Sequence, residues 1–228
     1  MGGKGPQMAE LRVALVYTVT GDELTGAVED AVRAALGEVE LVSYSDPSIL
    51  AEAVAAGRVT RAGALRLVRM YLQAAEDGAA AILNCCSTVG EVAASAQGLM
   101  NCLGVPLVRI DEAMCAAAVR QAARVGVLAT TATTLAPTGN TLRRAAREQG
   151  RAVEVVPGLV EGTAGLERDE YRAALLSRAR ELEPAVDVLV LAQGSMAFCE
   201  GYLQERLDVP VLSSPRSGAA DLARRLGR

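Results

Sequence analysis

The feature that most restricts the fold is a series of apolar strand-like and helix-like segments that occurs twice along the chain. Three segments of the first half match segments of the second half in the same order, at offsets that fall slowly from 112 to 107 to 104 residues. The matched pairs are residues 12–18 with 124–130, the region of Cys86 with that of Gln193, and 104–108 with 208–212. Chance likeness among apolar strands explains any single match, but three in order favour an internal duplication.

Strand-like segments that alternate with helix-like ones predict an α/β protein with parallel sheets covered by helices. Hydrophobic residues make up 51% of the chain but aromatic residues only 3%, so the core is built mainly from Ala, Val and Leu, as parallel sheets favour. With the duplication, this predicts two pseudo-symmetric lobes with a cleft between them. We place the first lobe at 8–110 plus 214–228 and the second at 111–213.

Capping signals predict two helix boundaries in the first half. Asp46 before Pro47 is typical of a helix start, and Gly57 is typical of the end of that helix. Thr60 predicts the start of the next helix, which Gly78 ends.

Composition excludes several kinds of chemistry. The chain has no histidine, so catalysis by a Ser-His or Cys-His pair and histidine ligation of a metal are excluded. Its only lysine is Lys4, near the start of the sequence, which argues against a pyridoxal phosphate enzyme. No phosphate-loop or dinucleotide-binding glycine motif occurs. We therefore predict no cofactor and no metal.

Charge and cysteine content bear on partners and location. A net charge of −4 argues against nucleic-acid binding, and no apolar stretch reaches the ~18 residues that a membrane span requires. The five cysteines are an odd number without metal-type spacing, so we expect a reduced, cytoplasmic protein.

Small polar residues follow four of the predicted strands, at the edge where open parallel sheets bind ligands. The four groups are Thr18 with Thr20, Cys86 with Ser87 and Thr88, Thr130 with Thr131 and Thr133, and Gln193 with Gly194 and Ser195. Hydroxyl and amide groups suit a small carboxylate or amide ligand better than a large apolar one. The alternative is that several of these residues only cap helices or end strands.

Cys86 is the candidate for chemistry because it lies where a strand passes into a helix. Exposed N–H groups and the helix dipole favour anions at that point, and the same field favours a thiolate over a thiol. A buried structural cysteine is the alternative for Cys86, and we interpret Cys85, Cys102 and Cys115 in that way.

From about Arg12 to Leu212 the chain resembles the aspartate/glutamate/hydantoin racemase superfamily. Cys86-Ser87-Thr88 resembles the first catalytic Cys-Asn-Thr of that family, with Ser87 in the place of Asn. The segment 127–130 with Thr133 resembles its Leu-Leu-Ala-Thr segment. The resemblance implies a cofactor-free active site between two lobes, with one cysteine on each face of the substrate carbon, and a homo-oligomer, often a dimer.

The second half departs from the family pattern, because Gln193 occupies the place of the second catalytic cysteine. An amide has no useful pKa near neutrality, so Gln193 cannot remove or return a proton. Cys199 lies six residues further on and reaches the position only if the intervening loop is unusual.

The resemblance thus implies an isomerase, a racemase or epimerase of an amino acid or a derivative, with Cys86 as the thiolate base. One cysteine also leaves open a lyase or decarboxylase that protonates a single face of its substrate. A non-catalytic protein that binds small carboxylates on the same scaffold is the third interpretation.

Overall fold

A computed structural model describes residues 11–19 and 21–228. Lys4, Thr20 and residues 8–10, where the first predicted lobe begins, lie outside the described residues.

Eight strands of the described chain form two separate four-stranded sheets, and every strand pairing is parallel. The strands are β1 Arg12–Tyr17, β2 Glu40–Ser45, β3 Ala81–Asn84, β4 Leu107–Arg109, β5 Arg124–Ala129, β6 Glu154–Leu159, β7 Val188–Leu191 and β8 Val211–Leu212. The first sheet has the order β2-β1-β3-β4 and the second the order β6-β5-β7-β8. Each strand of the second sheet therefore has a counterpart in the first, which confirms the predicted two-lobed α/β fold.

Helices cover both sheets. They are α1 Asp22–Leu36, α2 Pro47–Ala56, α3 Arg61–Glu76, α4 Gly90–Cys102, α5 Glu112–Gln121, α6 Ala132–Glu148, α7 Arg168–Leu182, α8 Glu200–Gln204 and α9 Ser214–Arg225. Two short 3-10 segments, Glu183–Ala185 and Gly194–Cys199, complete the second half. No helix in the described ranges combines the length and the apolar character that crossing a bilayer requires.

The predicted caps determine the boundaries of α2 and α3. The side chain of Asp46 accepts a hydrogen bond from the Ser48 N–H, and Gly57 ends α2 in the left-handed conformation at φ +66°. The Thr60 hydroxyl accepts a bond from the Gly63 N–H at the start of α3. Gly78, just after α3, has φ +83°.

Two helices pack on the sheet of the other half of the chain. Met114, Cys115 and Ala118 of α5 join the core formed by β5 and β7, although α5 follows β4 in sequence. Ala219 and Leu222 of α9 join the core formed by β1 and β3. This packing supports a boundary after β4 and a return to the first lobe at α9, and the lobe limits 8–110 plus 214–228 and 111–213 stay a prediction.

Candidate active site

The Cys86 loop, residues 85–89, joins the end of β3 to the first turn of α4. Cys86, Ser87 and Thr88 are 7%, 4% and 4% exposed, and the Gly90 N–H donates to the Ser87 carbonyl at 3.0 Å. The loop therefore lies directly before the amino terminus of a 13-residue helix, as the sequence predicts. The partial positive charge of that helix end stabilises an anion at this place.

Cys85 and Cys86 pack in different parts of the core. Cys85 lies with Tyr17 and Leu24 in one apolar cluster, and Cys86 lies with Val16 and Val89 in the other. The Cys85 thiol contacts the Leu83 carbonyl at 3.4 Å, and burial raises the pKa of this thiol well above its usual range. Cys85 is thus a neutral core residue, which leaves Cys86 as the thiol of interest.

Two other cysteines test the sequence interpretation. Cys115 is buried, as predicted, but the prediction for Cys102 was wrong, because this residue is exposed. Cys102 is the last residue of α4 and lies off the buried face that Ala93, Ala96 and Met100 form.

In the second half, Gln193 is held against the end of β5. Its Oε1 accepts a hydrogen bond from the Thr130 N–H at 2.8 Å. Its Nε2 donates to the Thr130 hydroxyl at 3.0 Å and to the Thr131 hydroxyl at 3.2 Å. The amide therefore bridges the ends of β5 and β7, and both of its polar atoms have protein partners.

Cys199, the nearest cysteine to Gln193 in sequence, is a buried core residue. It ends the 3-10 segment that begins at Gly194, and its side chain is buried in an apolar cluster that includes Met196 and Leu203. Burial raises the pKa of the Cys199 thiol to about 11, although Arg172 opposes the shift. This thiol is therefore protonated at pH 7.

Residues from the two lobes meet directly beside the Cys86 loop. The hydroxyls of Thr88 and Thr134, in the first turn of α6, lie 3.0 Å apart in a buried hydrogen bond. At a second contact, a Cβ added to Gly194 would lie 2.8 Å from the Leu24 side chain and 3.7 Å from the Ser214 hydroxyl. The structure therefore brings Thr88 next to the Thr133–Thr134 turn and Gly194 against the first lobe.

The contact between Thr88 and Thr134 gives a testable prediction. We expect Thr88→Val and Thr134→Val each to lower the free energy of unfolding by about 1–2 kcal/mol, since each leaves the other hydroxyl buried and unpaired. The double variant should cost about 1 kcal/mol less than the sum, which a double-mutant cycle in urea would measure. Additive losses would show that the two hydroxyls are not coupled.

Several buried hydroxyls near the strand ends find no hydrogen-bond partner within the described part of the chain. Three belong to predicted site residues, namely Thr18, Ser87 and Thr133, and two others are Tyr17 and Ser214. An unpaired buried hydroxyl costs about 1–3 kcal/mol, so these atoms are available to a polar ligand. Ser195 lies partly buried in the 3-10 segment after Gln193.

Tyr17 and Ser214 are not among the site residues predicted from the sequence. Tyr17 is the last residue of β1, directly before Thr18, and the apolar pattern of the strand gives no separate signal for its hydroxyl. Ser214 follows β8, and a polar residue after the fourth strand of the second sheet was the available signal.

Arg109 is a buried cation that was not predicted as a site residue from the sequence. It is 0% exposed, and its guanidinium donates to Asp111 at 3.0 and 2.9 Å and to the Thr141 hydroxyl of α6 at 2.7 Å. It packs so closely on Gly90 that any Cβ there would overlap it. An Arg within an apolar strand, two residues before an Asp, was the signal for this pair. Because Asp111 neutralises it, Arg109 serves to join β4 to α6 beneath the Cys86 loop.

One cavity lies away from the predicted site. This cavity has a volume of about 770 Å³ and lies between α4, α5, α6 and α9, and none of the nine predicted site residues lines it. Within residues 11–19 and 21–228, no three acidic, cysteine or histidine side chains are grouped as metal ligands.

Comparison with known proteins identifies the family and the fold. A sequence profile described as Asp/Glu/Hydantoin racemase matches residues 13–222. A search of curated proteins gave no significant match.

Solved structures with the same fold include three racemases of low sequence identity. Allantoin racemase from Klebsiella pneumoniae has a TM-score of 0.70 at 18% identity, over 96% of this chain and 88% of its own. Glutamate racemase isoform RacE1 from Bacillus anthracis has a TM-score of 0.71 at 19% identity, over 96% and 82%. Aspartate racemase from Picrophilus torridus has a TM-score of 0.68 at 15% identity, over 95% and 94%.

Proposed function

Because the chain belongs to the Asp/Glu/hydantoin racemase family, a family of enzymes, we propose that it is a cofactor-independent racemase or epimerase. It acts at the carbon α to the carboxylate of an amino acid or a derivative, with Cys86 as the thiolate base. The observation that carries this proposal is the place of Cys86, in a loop before the amino terminus of α4 and beside the contact between the two lobes.

The substrate carboxylate is held by N–H groups of the Cys86 loop and by the hydroxyls of Thr18, Ser87, Thr88, Thr130 and Thr133. The unpaired hydroxyls of Thr18, Ser87 and Thr133 support this assignment. Gln193, Gly194 and Ser195 form the opposite wall, where Gln193 orients Thr130 through the bonds to its N–H and hydroxyl. The same donors stabilise the negative charge that forms on the carboxylate when the proton leaves.

In the chemical step, the Cys86 sulfur takes the α-proton while the electron pair of the C–H bond moves into the carboxylate to give an enolate. Inversion requires that a proton returns to the other face of the carbon. Gln193 cannot supply it. We propose that water supplies this proton and that the hydroxide left behind takes the proton from Cys86, which restores the thiolate.

A second function, a lyase or decarboxylase that protonates one face only, is favoured by one observation. The Gln193 amide is fully engaged by Thr130 and Thr131, and we infer that Gln193 takes the place of the family's second cysteine. A thiol on one face alone is sufficient to protonate an enolate after carbon dioxide has left. A binding protein without catalysis is the third candidate.

Proton NMR in deuterated water, together with polarimetry, separates these functions. Candidate amino acids, hydantoins and malonates are incubated with the enzyme, and exchange at the α-carbon is followed. The proposal predicts deuterium incorporation with loss of optical rotation. Exchange with retained rotation, or carbon dioxide release from a malonate, would point to one-face chemistry, and calorimetric binding without exchange to the binding protein.

We further propose that the enzyme works in the cytoplasm as a homo-oligomer, with dimers as the simplest form. All five cysteines are free in the structure, which supports a reducing environment. Sedimentation equilibrium would test the oligomeric state.

A further inference from the structure

We propose that Tyr71 and Asn84 are positioning residues that hold the Cys86 peptide in its reactive orientation. This inference rests on the proposed role of Cys86 as the base. Neither residue is predicted to touch the substrate.

The two side chains form a buried relay from α3 to the Cys86 loop. Tyr71 is 0% exposed, and its hydroxyl donates to Asn84 Oδ1 at 2.9 Å. Asn84, the last residue of β3, is 1% exposed, and its Nδ2 donates to the Cys86 carbonyl at 2.9 Å. The Tyr71 hydroxyl on α3 thus orients the Asn84 amide, which in turn binds the Cys86 carbonyl.

The relay is not needed to form the sheet. The backbone carbonyl of Asn84 is already used there, because it accepts a bond from the Ile110 N–H at 3.0 Å. The other residues of β3 are Ala81, Ile82 and Leu83, all apolar. An apolar pair of similar shape at positions 71 and 84 would avoid the cost of burying two polar groups. What the polar pair adds is the bond to Cys86.

The bond from Asn84 orients more than the Cys86 carbonyl, because the whole peptide unit is planar and trans. The carbonyl of Cys86 and the N–H of Ser87 belong to the same unit and point in opposite directions. When Asn84 draws the carbonyl toward the core, the Ser87 N–H is turned away from the core, where it can donate to the proposed substrate carboxylate. The Cα of Cys86 lies in the same plane, so the bond also restricts the backbone that carries the Cys86 side chain.

Tyr71 is suited to act as a permanent donor. Burial raises its pKa well above the usual value, and the nearby Cys86 raises it further, whereas Arg109 acts in the opposite direction. The phenol therefore stays protonated while Cys86 is a thiolate. Arg109 is paired in register with Asn84 across β3 and β4, so the relay rests on a neighbour that is itself fixed by Asp111.

The test is Tyr71→Phe, which removes one hydroxyl and keeps the ring. Tyr44→Phe is the matched control, because the Tyr44 hydroxyl also donates to a side chain, Asp77 at 2.6 Å, but lies at the exposed end of the same cluster. We expect Tyr71→Phe to lower kcat about tenfold with KM changed less than about twofold, since misplacing a catalytic group costs the chemical step. Tyr44→Phe should leave both constants unchanged.

A second measurement does not need turnover. In a Cys102→Ala background, alkylation by iodoacetamide is followed by mass spectrometry of the tryptic peptide 70–109, with fragmentation to assign the label to Cys86 rather than Cys85. Loss of the relay should loosen the loop and speed alkylation at least about fivefold, while Tyr44→Phe has no effect. If this rate rises while the wild-type enzyme exchanges no proton, the relay is shown to hold the Cys86 loop, but the proposed function fails.

The opposite result would overturn the inference alone. If Tyr71→Phe lowers the melting temperature but changes neither kcat nor the alkylation rate, the relay is only part of the core. The proposed function would then be unaffected.

Discussion

Cys86→Ala is expected to lower kcat/KM for α-proton exchange by about 10³-fold, because a positioned general base contributes about 10²–10⁴-fold to such a step. The Cys86 side chain is small and 7% exposed, so the fold should tolerate alanine. The rate of deuterium incorporation, measured by proton NMR with equal concentrations of folded protein, provides the comparison. Affinity for the substrate should change little, since the carboxylate is held by hydroxyl and N–H groups.

Cys102→Ala is the control for this experiment. Cys102 is an exposed thiol at the end of α4, and its loss should leave the exchange rate unchanged. If Cys86→Ala retained more than about a tenth of the wild-type rate, a factor too small for loss of a general base, the base would have to be a different residue. The proposed mechanism would then be wrong, although the family assignment would stand.

Arg109→Met is expected to lower the free energy of unfolding by about 3–5 kcal/mol, the largest stability effect that we expect from a single substitution here. The substitution removes the partner of Asp111, which is 1% exposed, and leaves a buried carboxylate without its cation. It also removes the donor to Thr141. Urea denaturation followed by circular dichroism would measure the loss.

Two further variants determine what this loss means. Adding Asp111→Leu to Arg109→Met should recover at least about 2 kcal/mol, because the buried unpaired charge is then gone. Arg124→Met breaks a similar pair with Asp187, but those side chains are 46% and 36% exposed, so its cost should stay below about 1 kcal/mol. Equal losses for Arg109→Met and Arg124→Met would show that burial does not set the strength of the Arg109 pair.

Local signals and the internal repeat were sufficient to predict the fold. Asp46, Pro47 and Gly57 act within a few residues of one another, so the boundaries of α2 followed from the sequence without any tertiary information. The repeat predicted that β5 would occupy the position in the second sheet that β1 occupies in the first. The two sheets do have equivalent strand orders. The family resemblance, drawn from the Cys86 segment and residues 127–130, is confirmed by the profile match over residues 13–222.

What could not be predicted depends on contacts between distant segments. Gln193 lies 63 residues from Thr130 in sequence, and nothing near either residue indicates that the amide folds onto the end of β5. The relay of Tyr71 to Asn84 likewise depends on how α3 lies on the sheet. Cys102 was predicted to be buried because its helix is rich in alanine, but the fraction of apolar residues does not show on which side of the last turn a residue lies.

The packing of α9 has a consequence for synthesis on the ribosome. Residues of β1, β3 and α1 emerge early, yet part of the apolar surface that they form is covered by Ala219 and Leu222, which are made only after the entire segment 111–213. The nascent chain therefore carries an uncovered apolar face through most of translation. We expect chaperones that recognise such faces to engage this chain early and to release it only once α9 has docked.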